Sequence, residues 1–489
     1  MNMSKRPNIL LLFTDQQRYD TIGALGNPLL KTPVLDRLVE RGVCFTNAYT
    51  PSPVCVPARY AMLTGQSPHK TGCVNNQSMP SGYTSLMEVL ASCGYETLGI
   101  GKMHFTFDDP REMWGFQRRA FSEEVSGAPG DDFIASLKEA GYQHVHDPHG
   151  VRSEMYYIPQ PSQLPAKLHN TTWVVDQSIK FLEERDRNRP FFLMTSFIKP
   201  HPPFEVPTPW NKLYRTHQMP LPKRPEGYEH LLTYHNHFQN RYKYRDQGTD
   251  ANLLRTMRAY YYACISFMDY NIGRLLDYLS ETGELENTLI IFTSDHGELL
   301  GDYNSFGKRC FLDSAARIPL IVCGPGVEPG LKSTPVSLLD VMPTCLEAAG
   351  VRWTNDLPGR SLLGMPEEDR TVYGQFSEGR EGLYMIVNRR WKYIYSAPDN
   401  KELLFDRKND PEETRNRAYN PLYREAAERM RSQLISYFQK EGYTKPLSGN
   451  SWREYPPLSI PEDPDALLLM QDPEWSLPVD LRDYYEPLV

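Results

Sequence analysis

The sequence predicts an α/β protein: a large doubly wound, mixed but mostly parallel sheet flanked by helices, followed by a smaller C-terminal α+β domain with an antiparallel sheet. Three observations lead there. Short continuous apolar runs at 9–14, 96–100, 191–197 and 288–292 have the pattern of strands buried on both faces. Stretches of helical period alternate with these runs, as parallel βαβ units require. Past residue 365 the pattern changes: 372–376, 383–387 and 391–395 alternate like antiparallel strands, and 421–441 then reads as a helix.

Composition bounds the classes of function. The chain has 489 residues, 40% hydrophobic and 12% aromatic, as an ordinary globular protein does. That length predicts two or three domains. A formal net charge of −8 argues against nucleic acid or an anionic membrane as a general partner, so an anionic substrate would need a local basic site. Eight cysteines are scattered with no short-spaced metal or disulfide pattern, which predicts mostly buried thiols. Near the N-terminus, the apolar run 9–13 is too short for a signal-peptide core and leads into polar Asp15, so it reads as the first strand. No stretch is apolar enough to cross a bilayer, and the expectation is a soluble chain, cytoplasmic or periplasmic, without a visible signal peptide.

Taken in order, the first strand ends at Asp15 and Gln16, on the carboxyl edge where open α/β sheets bind ligands. Thr32 and Pro33 supply a capping residue and a first-turn proline for a helix that stops at Gly42. A second helix ends at Gly94, and the strand after it delivers Gly101-Lys102-Met103-His104 at its carboxyl end. The stretch 108–163 is rich in Gly, Pro, Asp and His with weak period, and reads as a loop-rich insertion; 205–250 reads as a second. Between them lie a helix at 172–184, a strand, and the proline-stiffened loop around His201. A long amphipathic helix at 253–279 and another buried strand lead to Ser294-Asp295-His296. The expected organisation is a domain over 1–365, a small one over 366–445 and a tail over 446–489. That tail is too rich in Trp and Tyr for a free linker; it is expected to wrap the body or a neighbouring subunit, giving a route to a homo-oligomer.

The stretch from Thr50 to Gly72 sets a cysteine where packing does not call for one. Cys55 lies between Pro53 and Pro57, with Arg59 one turn on and Gly65 closing a short helical pattern. This places Cys55 at a helix N-terminus, where the backbone favours negative charge, with Arg59 directed toward the same spot. A lone cysteine is ordinarily a buried structural thiol. Here Cys-x-Pro-x-Arg followed by Leu63-Thr64-Gly65 resembles the signature of the formylglycine-dependent sulfatases of the alkaline phosphatase superfamily, and the resemblance extends over most of the chain. It implies that Cys55 is oxidised to formylglycine by a formylglycine-generating or anaerobic sulfatase-maturing enzyme. Ala58 stands where many members carry Ser, while the Cys, Pro and Arg that modification chiefly needs are kept.

The same resemblance implies a set of site residues. Asp15, Gln16, Asp295 and His296, together with the modified Cys55, match the family's metal ligands. Ca²⁺ is the first expectation, with Mn²⁺ or Mg²⁺ as alternatives. Many members have Asp in place of Gln16 and Asn in place of His296, which shifts the site toward Mn²⁺. Arg59 and Lys102 would hold the aldehyde hydrate and a sulfate oxygen, His104 would act as base, and His201 and Lys308 would serve the leaving oxygen. Singly, each of these residues is more often a turn, cap or solvated group; the ordered set overrides that reading. Asn76 is a weaker candidate for a polar contact, and a turn role fits it equally well.

Taken together, these features imply hydrolysis of a sulfate monoester on a small molecule or an oligosaccharide, with a sugar or glycan fragment favoured. One alternative is a phosphonate monoester hydrolase or phosphodiesterase of the same superfamily, against which Lys102-x-His104 speaks. The other is a non-catalytic sulfate-binding relative in which Cys55 stays a thiol.

Overall fold

The computed structural model describes residues 6–106, 109, 111–124, 130–152, 156–243, 250–353 and 356–460. Its centre is an eight-stranded sheet. In spatial order the strands are Gly330–Lys332, Val43–Phe45, Leu320–Cys323, Thr288–Ser294, Asn8–Asp15, Phe191–Pro200, Glu96–Gly101 and Arg118–Phe121. Five consecutive strands, from Thr288–Ser294 to Arg118–Phe121, run parallel; Leu320–Cys323 is antiparallel to both its neighbours. The sheet is therefore mixed and mostly parallel.

Both faces are covered, which is why the strand sequences are continuous apolar runs rather than alternating ones. Along Asn8–Asp15, Ile9, Leu11 and Phe13 point into one core with the helices Cys55–Thr64, Leu86–Ser92 and Val341–Ala348. Leu10 and Leu12 point into the other, with Pro33–Arg41, Asn170–Glu184 and the 31-residue Ala251–Glu281. Each such leucine or phenylalanine, fully buried, contributes about 1.5–3 kcal/mol.

Some local expectations meet different partners. Thr32 precedes the helix Pro33–Arg41 but does not cap it; its hydroxyl donates to Asp36 at 3.0 Å. The free N–H groups of Val34 and Leu35 are instead taken by the carboxylate of Asp269, at 3.1 and 2.7 Å, from the long helix. A distant side chain thus does what the local threonine was expected to do. The loop-rich stretch 108–163 is more than loop: Arg118–Phe121 adds the outermost parallel strand and Asp132–Glu139 forms a helix capped by Asp131. The eight cysteines are free, seven of them buried.

Past residue 365, Val372–Phe376, Leu383–Val387, Trp391–Ser396 and Lys401–Asp406 form an antiparallel meander. One face of this sheet carries the helix Arg424–Lys440. The other packs Leu383, Met385, Ile394 and Phe405 against Tyr49, Val54, Leu299 and Phe311 of the preceding segment. Of the tail over 446–489 that was expected to wrap the body or a neighbouring subunit, Trp452 stacks on Tyr395 at 4.4 Å and donates to the Tyr393 hydroxyl; its residues 461–489 lie outside the described residues. Among the described residues, no helix is long and apolar enough to cross a membrane.

Candidate active site

The site forms where four parallel strands end together. Asn8–Asp15 delivers Asp15 and Gln16, Glu96–Gly101 delivers Lys102, Phe191–Pro200 delivers His201, and Thr288–Ser294 delivers Asp295 and His296. The exits are tight. Gln16 takes a left-handed φ of 67°, and its N–H donates to Asp295 Oδ1 at 3.0 Å, which locks two strand ends together. Gly101, at φ 86°, leaves no room for a side chain: a Cβ would lie 2.1 Å from the Ser196 carbonyl.

The helix Cys55–Thr64 lies across these ends with every residue buried, Cys55 in its first turn and Gly65 closing it in a left-handed conformation. Asn76 Oδ1 accepts the free Val56 N–H at 3.3 Å. Cys55 Sγ is 3.2 Å from His296 Nε2, 3.4 Å from Lys308 Nζ and 3.9 Å from Asp15 Oδ1. Arg59 is wholly buried over the Phe13 ring and donates four ways: to Asp15 Oδ2 at 2.9 Å, Asp295 Oδ2 at 3.2 Å, the Lys102 carbonyl at 2.9 Å and Ser196 Oγ at 3.1 Å.

Lys102 Nζ sits 2.6 Å from Asp15 Oδ2 and also pairs with Glu124. Lys308 Nζ donates to Gln16 Oε1 at 2.7 Å and faces His201 Nε2 at 3.1 Å. Gln16 in turn donates to Glu298, so its amide ties Lys308 to that buried carboxylate. His201 Nδ1 lies 2.7 Å from the Pro202 carbonyl and 3.4 Å from Glu124. His104, at φ 57°, is the least buried member of the set and meets Glu123 at 3.3 Å, while Glu123 also accepts the N–H groups of Met103 and His104.

Charge is distributed unevenly. Burial would raise Asp15, but Lys102, Arg59 and Lys308 hold it well below the usual carboxylate range. Burial and the charge of Asp15 push Asp295 up to about 7 against the pull of Arg59. Burial lowers His201 and His296 well below the usual imidazole range and brings His104 to about 4, so all three are neutral imidazoles at neutral pH. Burial and Asp15 push the Cys55 thiol up to about 12.

Ligand atoms of Asp15, Cys55, Asp295 and His296 lie within 4.8 Å of one another. Two carboxylates and an imidazole suit a divalent cation that accepts oxygen and nitrogen donors. Sequence reasoning missed Glu298, Glu123 and Glu124. Glu298 follows Asp295 by three residues in the same strand-end loop and was within reach of a motif reading; it accepts from Tyr157 at 3.2 Å, Leu300 N at 2.9 Å and Gly307 N at 2.5 Å. Glu123 and Glu124 lie in a stretch without period and gave no signal.

Comparison with known proteins identifies the family. The sulfatase family matches residues 7–351, and a family described as N-sulphoglucosamine sulphohydrolase, C-terminal, matches 301–440. The chain is 31% identical to an arylsulfatase of Clostridium perfringens over 475 residues, covering 90% of this chain and 96% of that one. It is 32% identical to the multifunctional alkaline phosphatase superfamily protein PehA of Trinickia caryophylli, covering 86% and 92%. Among solved structures, the phosphonate monoester hydrolase of Agrobacterium radiobacter superposes with a TM-score of 0.78 at 26% identity, covering 92% of this chain and all of that one.

Proposed function

The chain belongs to the sulfatase family of the alkaline phosphatase superfamily, and from that premise we propose that it hydrolyses a sulfate monoester, with sugar or glycan fragments as the favoured substrates. The observation that carries this reading is the surround of Cys55. His296, Asp15 and Lys308 surround Sγ, and Lys308 reaches on to His201. Sγ marks the place that the oxygens of a hydrated formylglycine would take. Asp15, Gln16, Asp295 and His296 are the residues proposed to hold one divalent cation beside it. When bound, that cation supplies Lewis acidity toward those oxygens and toward the sulfuryl group.

The remaining work falls to the chain's own side chains. Arg59, fixed by two carboxylates, holds those carboxylates in place and offers positive charge to the nucleophile. Lys102 and Lys308 bind sulfate oxygens. His104, a neutral imidazole held by Glu123, accepts a proton on the nucleophile side. His201 and Lys308 lie 3.1 Å apart and can pass a proton toward the leaving oxygen.

A second reading has its own support. The likeness to a phosphonate monoester hydrolase fits hydrolysis of a phosphonate monoester or phosphodiester. Turnover separates the two. Protein produced with a maturing enzyme should show a higher kcat/KM for an aryl sulfate than for an aryl phosphonate or a bis-aryl phosphate. The reverse order would overturn the sulfate reading.

A further inference from the structure

Resting on the sulfate-ester reading above, we propose that Glu124 is a specificity-determining residue: it offsets the charge of Lys102, leaves Lys308 as the less compensated of the two lysines that meet the substrate's anionic group, and thereby selects monoanionic esters over dianionic ones.

The cations around Cys55 are not equally available. Arg59 is divided between Asp15 and Asp295. Lys102 is divided between Asp15, at 2.6 Å, and Glu124. Lys308 meets an amide oxygen, a sulfur and a neutral imidazole, and among the described residues no carboxylate lies within ion-pair distance of it. Glu124 is 7% exposed and does not project from the protein as a solvated carboxylate would. It lies against Lys102, His201 Nδ1 at 3.4 Å and Arg152 at 3.7 Å. A buried carboxylate in a site for anions has a cost that a purely electrostatic trap would avoid. Its effect is selective, because each negative charge near the reacting group penalises a dianion twice as much as a monoanion. Sulfate monoesters, phosphonate monoesters and phosphodiesters carry one charge. A phosphate monoester carries a second above a pH of about 6.

The test measures kcat/KM for an aryl sulfate and for the matching aryl phosphate at pH 8, with the matured enzyme and its Glu124→Gln and Glu124→Asp variants. E124Q should raise the phosphate-to-sulfate ratio by about tenfold to a hundredfold, the scale of one unit charge a few ångströms away in a partly screened site. E124D keeps the charge and should stay close to the wild-type ratio. An unchanged ratio in E124Q, or an equal change in E124D, overturns the proposal.

A measurement on the wild-type enzyme guards against an unstable variant. Inhibition by inorganic phosphate should weaken from pH 6 to pH 8 relative to inhibition by sulfamate, a monoanion throughout that range; a strengthening would overturn the proposal. Failure of the two readings is distinguishable. A wild-type enzyme that turns over phosphonates and not sulfates defeats the sulfate reading, and the preference for monoanions can then still be scored on the phosphonate.

Discussion

Arg59→Ala should destabilise the fold as well as the chemistry, and the structure sets the scale. Arg59 is fully buried, and it is the cation that joins Asp15 and Asp295, both of which are also fully buried. Truncation leaves Lys102 with Asp15, while Asp295 keeps, as a basic side chain, only the neutral imidazole of His296, 3.6 Å away, among the described residues. Two neighbouring carboxylates then lose their shared partner, and Ser196 Oγ and the Lys102 carbonyl each lose a donor. Removing one partner of a buried ion pair costs about 3–5 kcal/mol. Urea unfolding followed by tryptophan fluorescence, in chelator so that no added cation substitutes for the guanidinium, measures this as a fall in the midpoint at constant slope. Adding Asp295→Asn to Arg59→Ala should recover part of the loss, because it removes one of the two carboxyl groups left without their shared partner; the two changes should be coupled by about 1 kcal/mol or more. A loss below about 1 kcal/mol for Arg59→Ala, or strict additivity in the double variant, would refute the view that Arg59 holds the acidic pair together.

Two further outcomes follow from the same geometry. Chelation should abolish turnover and lower the melting temperature, and restoring Ca²⁺ or Mn²⁺ should recover both, since a ligand that binds only the folded state stabilises it; activity indifferent to exhaustive chelation would count against the ligand set. His235 is buried against Phe376 and the Glu381 carbonyl, and burial lowers its pKa from 6.5 to about 4. The unfolded chain binds this proton first, so the contribution is intact above pH 6.5 and is lost as the pH falls toward 4, by up to about 3 kcal/mol. Melting temperatures from pH 7 to pH 4 should fall, and less steeply in His235→Gln; parallel curves would contradict the assignment.

What the sequence revealed and what it hid have a common cause. Strands such as Asn8–Asp15 and Thr288–Ser294 are buried on both faces, so their apolar runs were legible, and Asp15 and Asp295 stood out as the polar residues that end them. Cys55 was placed by its prolines and Gly65, which are local signals. Asp269 capping a helix more than 230 residues earlier in the chain was not legible, because the pairing exists only in three dimensions. Arg118–Phe121 escaped as a strand because its first two residues are half-exposed arginines on the sheet's edge. Glu124 escaped for a different reason: nothing around it has a period, and its meaning comes entirely from Lys102 and His201 at the ends of two other strands.

The central claim is most directly tested by mass spectrometry of the peptide containing Cys55, from protein produced with a maturing enzyme, paired with turnover of an aryl sulfate by the same sample. The account predicts the mass decrement that replacing SH₂ by O produces, with activity in proportion to the modified fraction. An unmodified thiol in such a preparation, or activity independent of the modified fraction, would contradict it.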